Sequence, residues 1–285
     1  MRSVVITGAS SGIGWACAKV LVDEGFRVFG SVRKGADAER LKSELGASFT
    51  PLLFDVTDEA AVRAAAEEVR AALGGATLAG LVNNAGIAVP GPVLELRAEE
   101  FRRQMDVNVI GPIIATQAFG PLLGADRSLK GPPGRIVMIS SLAGRNGNPF
   151  MSAYSASKHA LEGLAESLRR ELMLYGIDVI IVGPGAVKTP IWSKAEEVDI
   201  GAYAASPYFP ALQRIRAVMV DLARTGLPAE DVGRLVHRVL TAPRPKVRYQ
   251  IVPNALQTWV AARLPKRVVD RIVARRLGIM PARQA

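Results

Sequence analysis

The sequence predicts an α/β fold: a doubly wound, mostly parallel seven-stranded sheet with helices on both faces, in a single domain. Two observations predict it. Short β-branched runs alternate with longer amphipathic patterns, and the runs are nearly continuous in Val, Ile and Leu, as in strands buried on both faces. A chain of 285 residues that is 49% apolar, with a mean hydropathy of +0.20, can form such a core.

Seven apolar runs are predicted as the strands: 3–8, 27–32, 49–56, 78–86, 134–141, 177–185 and 247–253. Helical patterns occupy the intervals, with one beginning at Gly12–Ile13 and others at 58–73, 99–123 and 154–176. Asp58 is expected to cap the second of these helices. The segment 190–226 is longer than ordinary connections, which predicts a substrate loop beside the carboxyl edge of the sheet, with a surface insertion as the alternative.

A glycine-rich turn, "TGASSGIG" at 7–14, follows the first strand and opens a helix. Its glycines allow a sharp turn, a close approach to a pyrophosphate and tight packing of the helix on the sheet. The helix N-terminus adds free N–H groups and a positive dipole end. The turn therefore predicts a Rossmann-type dinucleotide site, with a tight turn without ligand as the alternative. The residues expected to bind the cofactor here are Gly8, Ser10, Ser11, Gly12, Ile13 and Gly14.

The end of the second strand, "GSVRKGAD", bears on the choice of cofactor. NAD sites usually place an acid here to bind the ribose 2′-hydroxyl, but this chain has Val32, followed by Arg33. An apolar side chain cannot accept that hydrogen bond, whereas a guanidinium suits a 2′-phosphate. NADP(H) is therefore the preferred cofactor. NAD(H) remains open, because Asp37 could reach the ribose and Arg33 could be a solvated strand end.

The charge of the chain is concentrated at its C-terminal end. From 254 to 285, seven basic residues and one acidic residue give six of the ten net positive charges. Apolar residues interleave with these arginines in the pattern of an amphipathic helix, at Val268, Val269, Ile272, Val273 and Leu277. This basic extension is expected to dock on its own domain, on a partner subunit or, as the alternative, on the surface of an anionic membrane. No nucleic-acid module accompanies the charge, so no nucleic-acid partner is expected.

Several other features limit the possible classes of protein. The single cysteine, Cys17, excludes an intramolecular disulfide framework, and no apolar run approaches the ~18–20 residues of a membrane span. The chain passes from its first residues straight into a strand, which leaves no room for a signal peptide. A cytoplasmic protein is expected. His159 and His237 have no neighbouring acid or cysteine motif, so no metal site is predicted.

Seven motifs in order resemble the single-domain branch of the short-chain dehydrogenase/reductase family: "TGASSGIG", "DVT", "NNAG", "MDVNVIG", "ISSLAG", "YSASK" and "PGAVKT". The resemblance covers about residues 3–252, so residues 1–253 are expected to form the catalytic domain. The segments "VFGSVRK" and "SLRRELMLYGIDV" are most similar to the retinol and hydroxysteroid dehydrogenases, which implies lipophilic alcohols or ketones as substrates.

The resemblance assigns roles to particular residues. It implies a catalytic set of Asn108, Ser141, Tyr154 and Lys158, of which the last two also contact the cofactor. It implies further cofactor contacts at Asp55, Val56, Asn83, Ala85, Gly86, Pro184, Gly185, Val187 and Thr189. It also implies a homodimer or homotetramer packed through the helices at 99–123 and 154–176.

These residue types suit hydride transfer to and from a carbonyl group, which the nicotinamide itself performs. Oxygen that gains negative charge needs a proton donor and a hydrogen-bond donor, which Tyr154 and Ser141 can supply. The phenol pKa is ordinarily about 10, and we expect Lys158, one helical turn away, to lower it in a partly dry cleft beside the cationic oxidised nicotinamide. Asn108 is expected to hold water for a proton relay.

The predicted function is an NADP(H)-dependent oxidoreductase that interconverts an alcohol and a ketone or aldehyde by acting on CH–OH groups. Two alternatives come from other classes of protein. One is a cofactor-sensing binding protein on the same scaffold without turnover, and the other is a basic protein that binds membranes peripherally. An epimerase is disfavoured, because the glycine spacing G-x-x-x-G-x-G differs from that of the epimerase-like branch.

Overall fold

The structure, a computed structural model, describes residues 1–190, 200–261 and 263–281. Its seven strands form one sheet in the order β3-β2-β1-β4-β5-β6-β7, and every neighbouring pair is parallel. The strands are β1 Ser3–Ile6, β2 Arg27–Val32, β3 Phe49–Leu53, β4 Gly80–Asn83, β5 Arg135–Ile139, β6 Asp178–Pro184 and β7 Arg248–Ile251. The predicted fold class and all seven predicted strands are confirmed.

The α-helices of the described residues are α1 Gly12–Asp23, α2 Gly35–Leu45, α3 Glu59–Leu73, α4 Ala98–Met105, α5 Gly111–Phe119, α6 Ser152–Glu171, α7 Phe209–Thr225, α8 Ala229–Thr241, α9 Ala255–Ala261 and α10 Lys266–Leu277. The predicted cap of α3 is confirmed, since the Asp58 carboxylate accepts the N–H of Ala61 at 3.0 Å. A 3-10 turn, Leu172–Tyr175, extends α6 to the left-handed Gly176 and so completes the helix predicted at 154–176.

Apolar layers cover both faces of the sheet. On one face α1 and α8 pack over β1, β4 and β6. Gly233 of α8 lies so close to α1 that a Cβ there would be 2.8 Å from the carbonyl oxygen of Ala16. On the other face α3, α5 and α6 cover Val5, Leu81 and Ile136. The central strands therefore bury both their faces, which explains their nearly continuous apolar runs in the sequence.

The predicted helix at 99–123 is interrupted. A π-helical turn, Asp106–Ile110, separates α4 from α5, and a 3-10 turn, Pro121–Leu123, follows α5. Pro112 has no N–H, so it cannot donate the usual i+4 hydrogen bond to the carbonyl of Asn108. The N–H of Gly111 instead bonds the carbonyl of Asp106, five residues back.

The segment predicted as a substrate loop, 190–226, contains regular helical structure where the structure describes it, and its role stays a prediction. A 3-10 turn, Ile200–Tyr203, is followed by the 17-residue helix α7. Leu212, Ile215 and Met219, spaced by three and four residues, are the buried or half-buried apolar residues of one helix face. Residues 191–199 of the predicted loop lie outside the described residues.

The basic extension forms α9 and α10. Leu277 and Val273 of α10 pack against Leu212 and Ile215 of α7, and Arg214 donates a 2.6 Å hydrogen bond to the carbonyl of Leu277. In the described part of the chain, no helix is both long enough and apolar enough to cross a lipid bilayer.

Candidate active site

A cavity of about 530 Å³ opens at the carboxyl ends of the central strands, where the strand order reverses between β1 and β4. Most of the predicted site residues line it: Gly8, Ser10, Ser11, Gly12, Ile13, Arg33, Asp55, Val56, Ala85, Gly86, Ser141, Tyr154, Lys158, Pro184, Gly185, Val187 and Thr189. Gly14, Asn83 and Asn108 do not line the cavity. The fold thus brings residues from seven separate sequence motifs to one crevice.

The glycine turn fits a pyrophosphate. Gly8 has φ +68°, and a Cβ there would lie 2.9 Å from the Cα of Ala85. Gly14 instead packs the first turn of α1, because a Cβ there would lie 2.1 Å from the carbonyl oxygen of Gly8. Ser11 is the N-cap of α1 but makes no side-chain cap bond, so its hydroxyl is available to a phosphate beside the open amides of the helix.

Two residues that hold this turn were missed by the sequence reasoning. The Ser31 hydroxyl accepts the N–H of Gly8 at 2.9 Å, and the Arg40 guanidinium donates to the carbonyl of Ser10 at 2.6 Å. Ser31 lies one residue before Val32, where an NAD site would place an acid. Arg40 also contacts Asp37 and Glu44 on α2, a spacing that reads as an ordinary helix-surface ion pair.

At the adenosine end of the cavity, the described residues offer no carboxylate free for the ribose. Val32 is buried, and the Arg33 guanidinium is 66% exposed, with Nη1 3.6 Å from Oδ2 of Asp55. The Asp55 carboxylate also accepts the N–H and hydroxyl of Thr57 at 3.0 and 2.8 Å. Burial works to raise the pKa of Asp55, but the bonds from Thr57 and the charge of Arg33 hold it below its ordinary value. Asp37 lies on α2, paired with Arg40 at 3.2 Å, and does not line the cavity.

Of the two asparagines in the "NNAG" motif, the second lines the cavity and the first does not. Asn83 was predicted to line the cleft, but its side chain is buried behind β4, where Nδ2 donates to Thr116 Oγ1 at 3.3 Å. The alternation of side chains along a strand explains the difference, since consecutive residues point to opposite sides. Asn84 lines the cavity and donates through Nδ2 to the carbonyls of Thr7 and Gly8 at 2.9 and 3.0 Å.

Ser141, Tyr154 and Lys158 meet at the far end of the same cavity. Ser141 caps the 3-10 turn Leu142–Gly144, and its Oγ accepts the N–H of Ala143 at 3.1 Å. The hydroxyl hydrogen is therefore left to donate elsewhere. Lys158 lies one turn after Tyr154 on α6, with Nζ 5.7 Å from the centre of the phenol ring. That ammonium donates to the carbonyl of Ile139 at 2.9 Å.

Burial sets the protonation of this pair in the protein alone. Burial raises the pKa of Tyr154 above 10, and the hydrogen bond with Ser141 offsets this only in part. Burial also lowers the pKa of Lys158 to about 8. The expected lowering of the phenol pKa by Lys158 beside an oxidised nicotinamide stays a prediction, because it concerns the protein with its cofactor bound. Tyr154 is a neutral phenol at neutral pH, and Lys158 is an ammonium.

Asn108 lies behind the cavity, in the π-helical turn. Its Oδ1 accepts the N–H of Ile87 at 2.9 Å, and its Nδ2 donates to the carbonyl of Ile87 and to Ser157 Oγ, both at 3.0 Å. Ser157 in turn donates to the carbonyl of Tyr154 at 2.8 Å. Both amide hydrogens are thus used by protein groups, and the side chain ties the cavity wall at Ile87 to the helix that carries Tyr154.

Gln104 adds to the hydrogen bonds that Asn108 makes with Ile87, and the sequence did not predict this role. Its side chain is fully buried, accepts the N–H of Val89 at 2.7 Å and donates to the carbonyl of Ile87 at 2.8 Å. Ser157 was not among the predicted residues either, although its place inside "YSASK" could have indicated it. No comparable signal marked Gln104, because a glutamine on an amphipathic helix is ordinarily a surface residue.

A nearly buried ion pair packs against the 3-10 turn Leu142–Gly144 that follows Ser141. The side chains of Glu162 on α6 and Arg248 on β7 are only 13% and 10% exposed, and their charged atoms are 2.9 Å apart. The same carboxylate accepts the hydroxyl of Ser140 at 2.8 Å. Gly144 packs against this group, since a Cβ there would lie 2.6 Å from Ser140 Oγ and 2.8 Å from Glu162 Oε1.

Comparison with known proteins identifies the family. The family model described as short chain dehydrogenase matches residues 2–199. The chain belongs to the short-chain dehydrogenase/reductase family. The motif-based resemblance is thereby confirmed.

Similar proteins include enzymes that match this short-chain dehydrogenase/reductase over nearly its whole length. The NADPH-dependent 3-dehydrocapnine reductase of Ornithobacterium rhinotracheale is 40% identical over 273 residues, covering 95% of this chain and 96% of that protein. Retinol dehydrogenase 5 of Homo sapiens is 35% identical over 291 residues, covering 95% and 87%. A solved short-chain dehydrogenase/reductase from Burkholderia phymatum in complex with NAD has a TM-score of 0.77 at 25% identity, covering 95% of both chains.

The Glu162–Arg248 pair gives this short-chain dehydrogenase/reductase a testable pH dependence of stability. Burial works to raise the pKa of Glu162, but hydrogen bonds from Arg248 and Ser140 hold it below the ordinary 4.5. Arg248→Met leaves the carboxylate buried without its main partner, which should lower the free energy of unfolding by about 3 kcal/mol at pH 7. A group with a lowered pKa stabilises above its unfolded pKa, so the deficit should shrink as the pH falls below 4.5. Urea unfolding at pH 7 and pH 4 measures both values.

Arg63→Met is the matched control, because Arg63 forms an exposed pair with Glu59 on α3. It should cost less than about 0.5 kcal/mol at either pH. If the deficit of Arg248→Met is the same at pH 4 and pH 7, packing and not charge accounts for the effect.

Proposed function

We propose that this protein is an NADP(H)-dependent oxidoreductase that interconverts a ketone or aldehyde and the corresponding alcohol, with Tyr154 as the acid/base. The observation that carries the proposal is the meeting of Ser141, Tyr154 and Lys158 in one cavity with a glycine turn suited to a dinucleotide. The bound nicotinamide supplies the hydride acceptor or donor. Family membership supports the reaction class.

The protonation of Tyr154 favours carbonyl reduction. Because burial raises the phenol pKa, the side chain holds its proton at neutral pH and can give it to a carbonyl oxygen that gains negative charge. The Ser141 hydroxyl, whose oxygen already accepts a backbone N–H, donates its hydrogen to the same oxygen. Together they act as proton donor and hydrogen-bond donor on one atom.

Lys158 and the π-helical turn supply the next proton. The Lys158 ammonium is held by the carbonyl of Ile139 beside Tyr154. Pro112 deprives the Asn108 carbonyl of its usual donor, so this oxygen can accept from a water. We propose that such a water links the Asn108 carbonyl to Lys158 and replenishes the proton of Tyr154 from solvent.

Arg33 supports the choice of NADP(H). Its guanidinium stands largely exposed at the end of β2, next to Val32, where an NAD site would place an acid. One similar protein is described as NADPH-dependent, and one solved structure of the fold contains NAD. NADP(H) is the preferred cofactor in this proposal, and NAD(H) is the weaker one.

A lipophilic substrate suits the apolar cover beside the site. Phe150, four residues before Tyr154, packs with Tyr203, Tyr208 and the apolar face of α7. Two similar proteins are described as a 3-dehydrocapnine reductase and a retinol dehydrogenase. We further propose that the enzyme works in the cytoplasm as a homodimer or homotetramer packed through α4–α5 and α6, helices that lie on one face of the sheet.

Replacing the proposed acid tests the function directly. Tyr154→Phe should lower kcat for NADPH-dependent reduction of a long-chain ketone by about 10²- to 10⁴-fold, the usual contribution of general acid catalysis. NADPH binding, followed by the fluorescence of the cofactor, should stay within about threefold, because a single hydroxyl is lost at the edge of the site. Tyr175→Phe, at the opposite end of the same helix, is the control. Unchanged turnover in Tyr154→Phe would leave a binding protein or another mechanism.

The pH profile tests the role of Lys158. With a pKa of about 8, Lys158 is charged below that pH and loses its proton above it. We expect kcat/KM for carbonyl reduction to be flat below pH 8 and to fall above it. Lys158→Arg, whose guanidinium stays charged, should lose activity but lack this fall. A fall near pH 8 that persists in Lys158→Arg would assign the titration to another group.

Cofactor choice tests the role of Arg33. Arg33→Ser should raise KM for NADPH by about 10- to 100-fold, because a charged hydrogen bond to the 2′-phosphate is lost, and leave KM for NADH within about twofold. Asp37→Asn is the control, since Asp37 pairs with Arg40 and should affect neither value. A strong preference of the unmodified enzyme for NADH would contradict the proposal.

A further inference from the structure

The outward surfaces of α9 and α10 expose apolar side chains in a way that no other described helix pair does. Trp259 is 54% exposed and Ile272 is also 54% exposed, although both residue types are ordinarily well buried. The exposed apolar residues of this region are Leu256, Trp259, Val260, Leu264, Val268 and Ile272. Leu256, Trp259 and Val260 have the i, i+3, i+4 spacing of a single face of α9.

α10 separates its residues into two faces. Val273 and Leu277, four residues apart, turn inward against α7. On the outer face, Arg267, Arg271 and Arg275 are spaced by four residues and form one cationic row. Val268 and Ile272 follow two of these arginines directly and form an apolar row beside it.

Five cations follow one another closely on α10 without an acidic partner among the described residues. In residues 1–190, 200–261 and 263–281, no carboxylate lies within 4 Å of Lys266, Arg267, Arg271, Arg275 or Arg276. On three other helices, Arg63, Arg170 and Arg234 each pair with an acid three or four residues away. The charge of α10 is therefore free to meet anions that the chain does not itself provide.

Trp259 adds the side chain best suited to a polar–apolar boundary. Its ring is stacked by the guanidinium of Arg263, 3.6 Å from the ring centre, and Arg263 also donates to the carbonyl of Trp259 at 3.3 Å. Tryptophan concentrates at the headgroup level of bilayers, because its ring is apolar and its N–H is polar. A cation stacked on that ring would lie among lipid phosphates.

We propose that the outer faces of α9 and α10 bind the surface of an anionic lipid bilayer. The apolar row would enter the boundary between headgroups and acyl chains, and the arginine row would lie among the phosphates. A second copy of this chain is a poorer occupant, because a symmetric contact would bring two uncompensated cationic rows together. Nucleic acid would meet the arginines but leave Trp259, Val268 and Ile272 in water.

The position of α10 relates this surface to the catalytic cavity. Its inner face packs in the same apolar cluster as Phe150, which lies four residues before Tyr154. A bilayer bound to the outer face would therefore lie near the apolar side of the site. A lipophilic substrate could pass from the bilayer without crossing bulk water, a consequence that rests on the proposed function, whereas the binding itself does not.

Vesicle flotation of the full chain tests the binding without any activity measurement. We expect partitioning onto vesicles of phosphatidylcholine mixed with anionic phosphatidylglycerol, and little onto phosphatidylcholine alone. High salt should release the protein, because exposed charges are screened. The triple variant Arg267→Gln/Arg271→Gln/Arg275→Gln should bind about 100-fold more weakly, since each basic residue at an anionic surface contributes about fivefold.

A matched triple variant, Arg63→Gln/Arg170→Gln/Arg234→Gln, removes the same charge from three other helices and should bind like the unmodified chain. Trp259→Ser/Ile272→Ser should also lose at least about tenfold, whereas Met173→Ser/Leu174→Ser, which removes two even more exposed apolar side chains after α6, should lose little. Equal partitioning of the two arginine variants would overturn the proposal. So would equal binding to both kinds of vesicle, or a dimer that the Trp259→Ser/Ile272→Ser variant dissociates while vesicles bind no protein.

Activity then separates the two proposals. Reduction of a short, water-soluble ketone should be the same in the α10 arginine variant and the unmodified chain, while reduction of a long-chain ketone supplied in anionic vesicles should fall with the loss of binding. Vesicle binding in a chain that reduces neither ketone would sink the proposed function and leave the membrane inference standing. Loss of both activities in the α10 variant would show damage to the enzyme and overturn the link between this surface and substrate supply.

Discussion

A single threonine clasp holds the two halves of the sheet in the geometry on which the site depends. The Thr7 hydroxyl accepts the N–H groups of Asn84 and Ala85, both at 3.0 Å, and Asn84 returns hydrogen bonds to the carbonyls of Thr7 and Gly8. These bonds lie where the chain leaves β1 toward one side of the sheet and β4 toward the other. They fix the glycine turn after β1 relative to the residues after β4, so both parts of the cavity keep their relative positions.

The catalytic end of the cavity is built from groups that are buried but hydrogen-bonded. Lys158 is only 5% exposed and Asn108 is fully buried, yet both find partners in backbone or hydroxyl groups. An unpaired polar group in this position would cost several kcal/mol, whereas a satisfied one gives a rigid arrangement. The same burial sets the protonation: it keeps Tyr154 neutral and moves the pKa of Lys158 toward the physiological range. Burial at this end of the cavity therefore both fixes the side chains in place and shifts their pKa values.

The sequence predicts the fold well because local signals agree with the tertiary structure. Apolar runs mark strands buried on both faces, and the cap at Asp58 marks the start of α3. The motifs also predict most of the cavity lining, since residues at the carboxyl ends of parallel strands meet at one edge. The spacing of Leu212, Ile215 and Met219 also indicates the helix α7. The length of the segment 190–226 suggested a loop instead.

What the sequence could not show are pairings between distant residues and the effect of burial on titration. Glu162 and Arg248 are 86 positions apart, and each reads as an ordinary surface charge until the fold buries both. Asn83 and Asn84 are adjacent and chemically identical, so only the direction of the side chains along β4 decides which one faces the cavity. The phenol pKa likewise depends on desolvation, which raises it, and on the hydrogen bond with Ser141, which lowers it, and spacing along a helix shows neither. Since burial raises the pKa of Tyr154, the phenol keeps its proton in the protein alone, which is the state that the proposed carbonyl reduction requires.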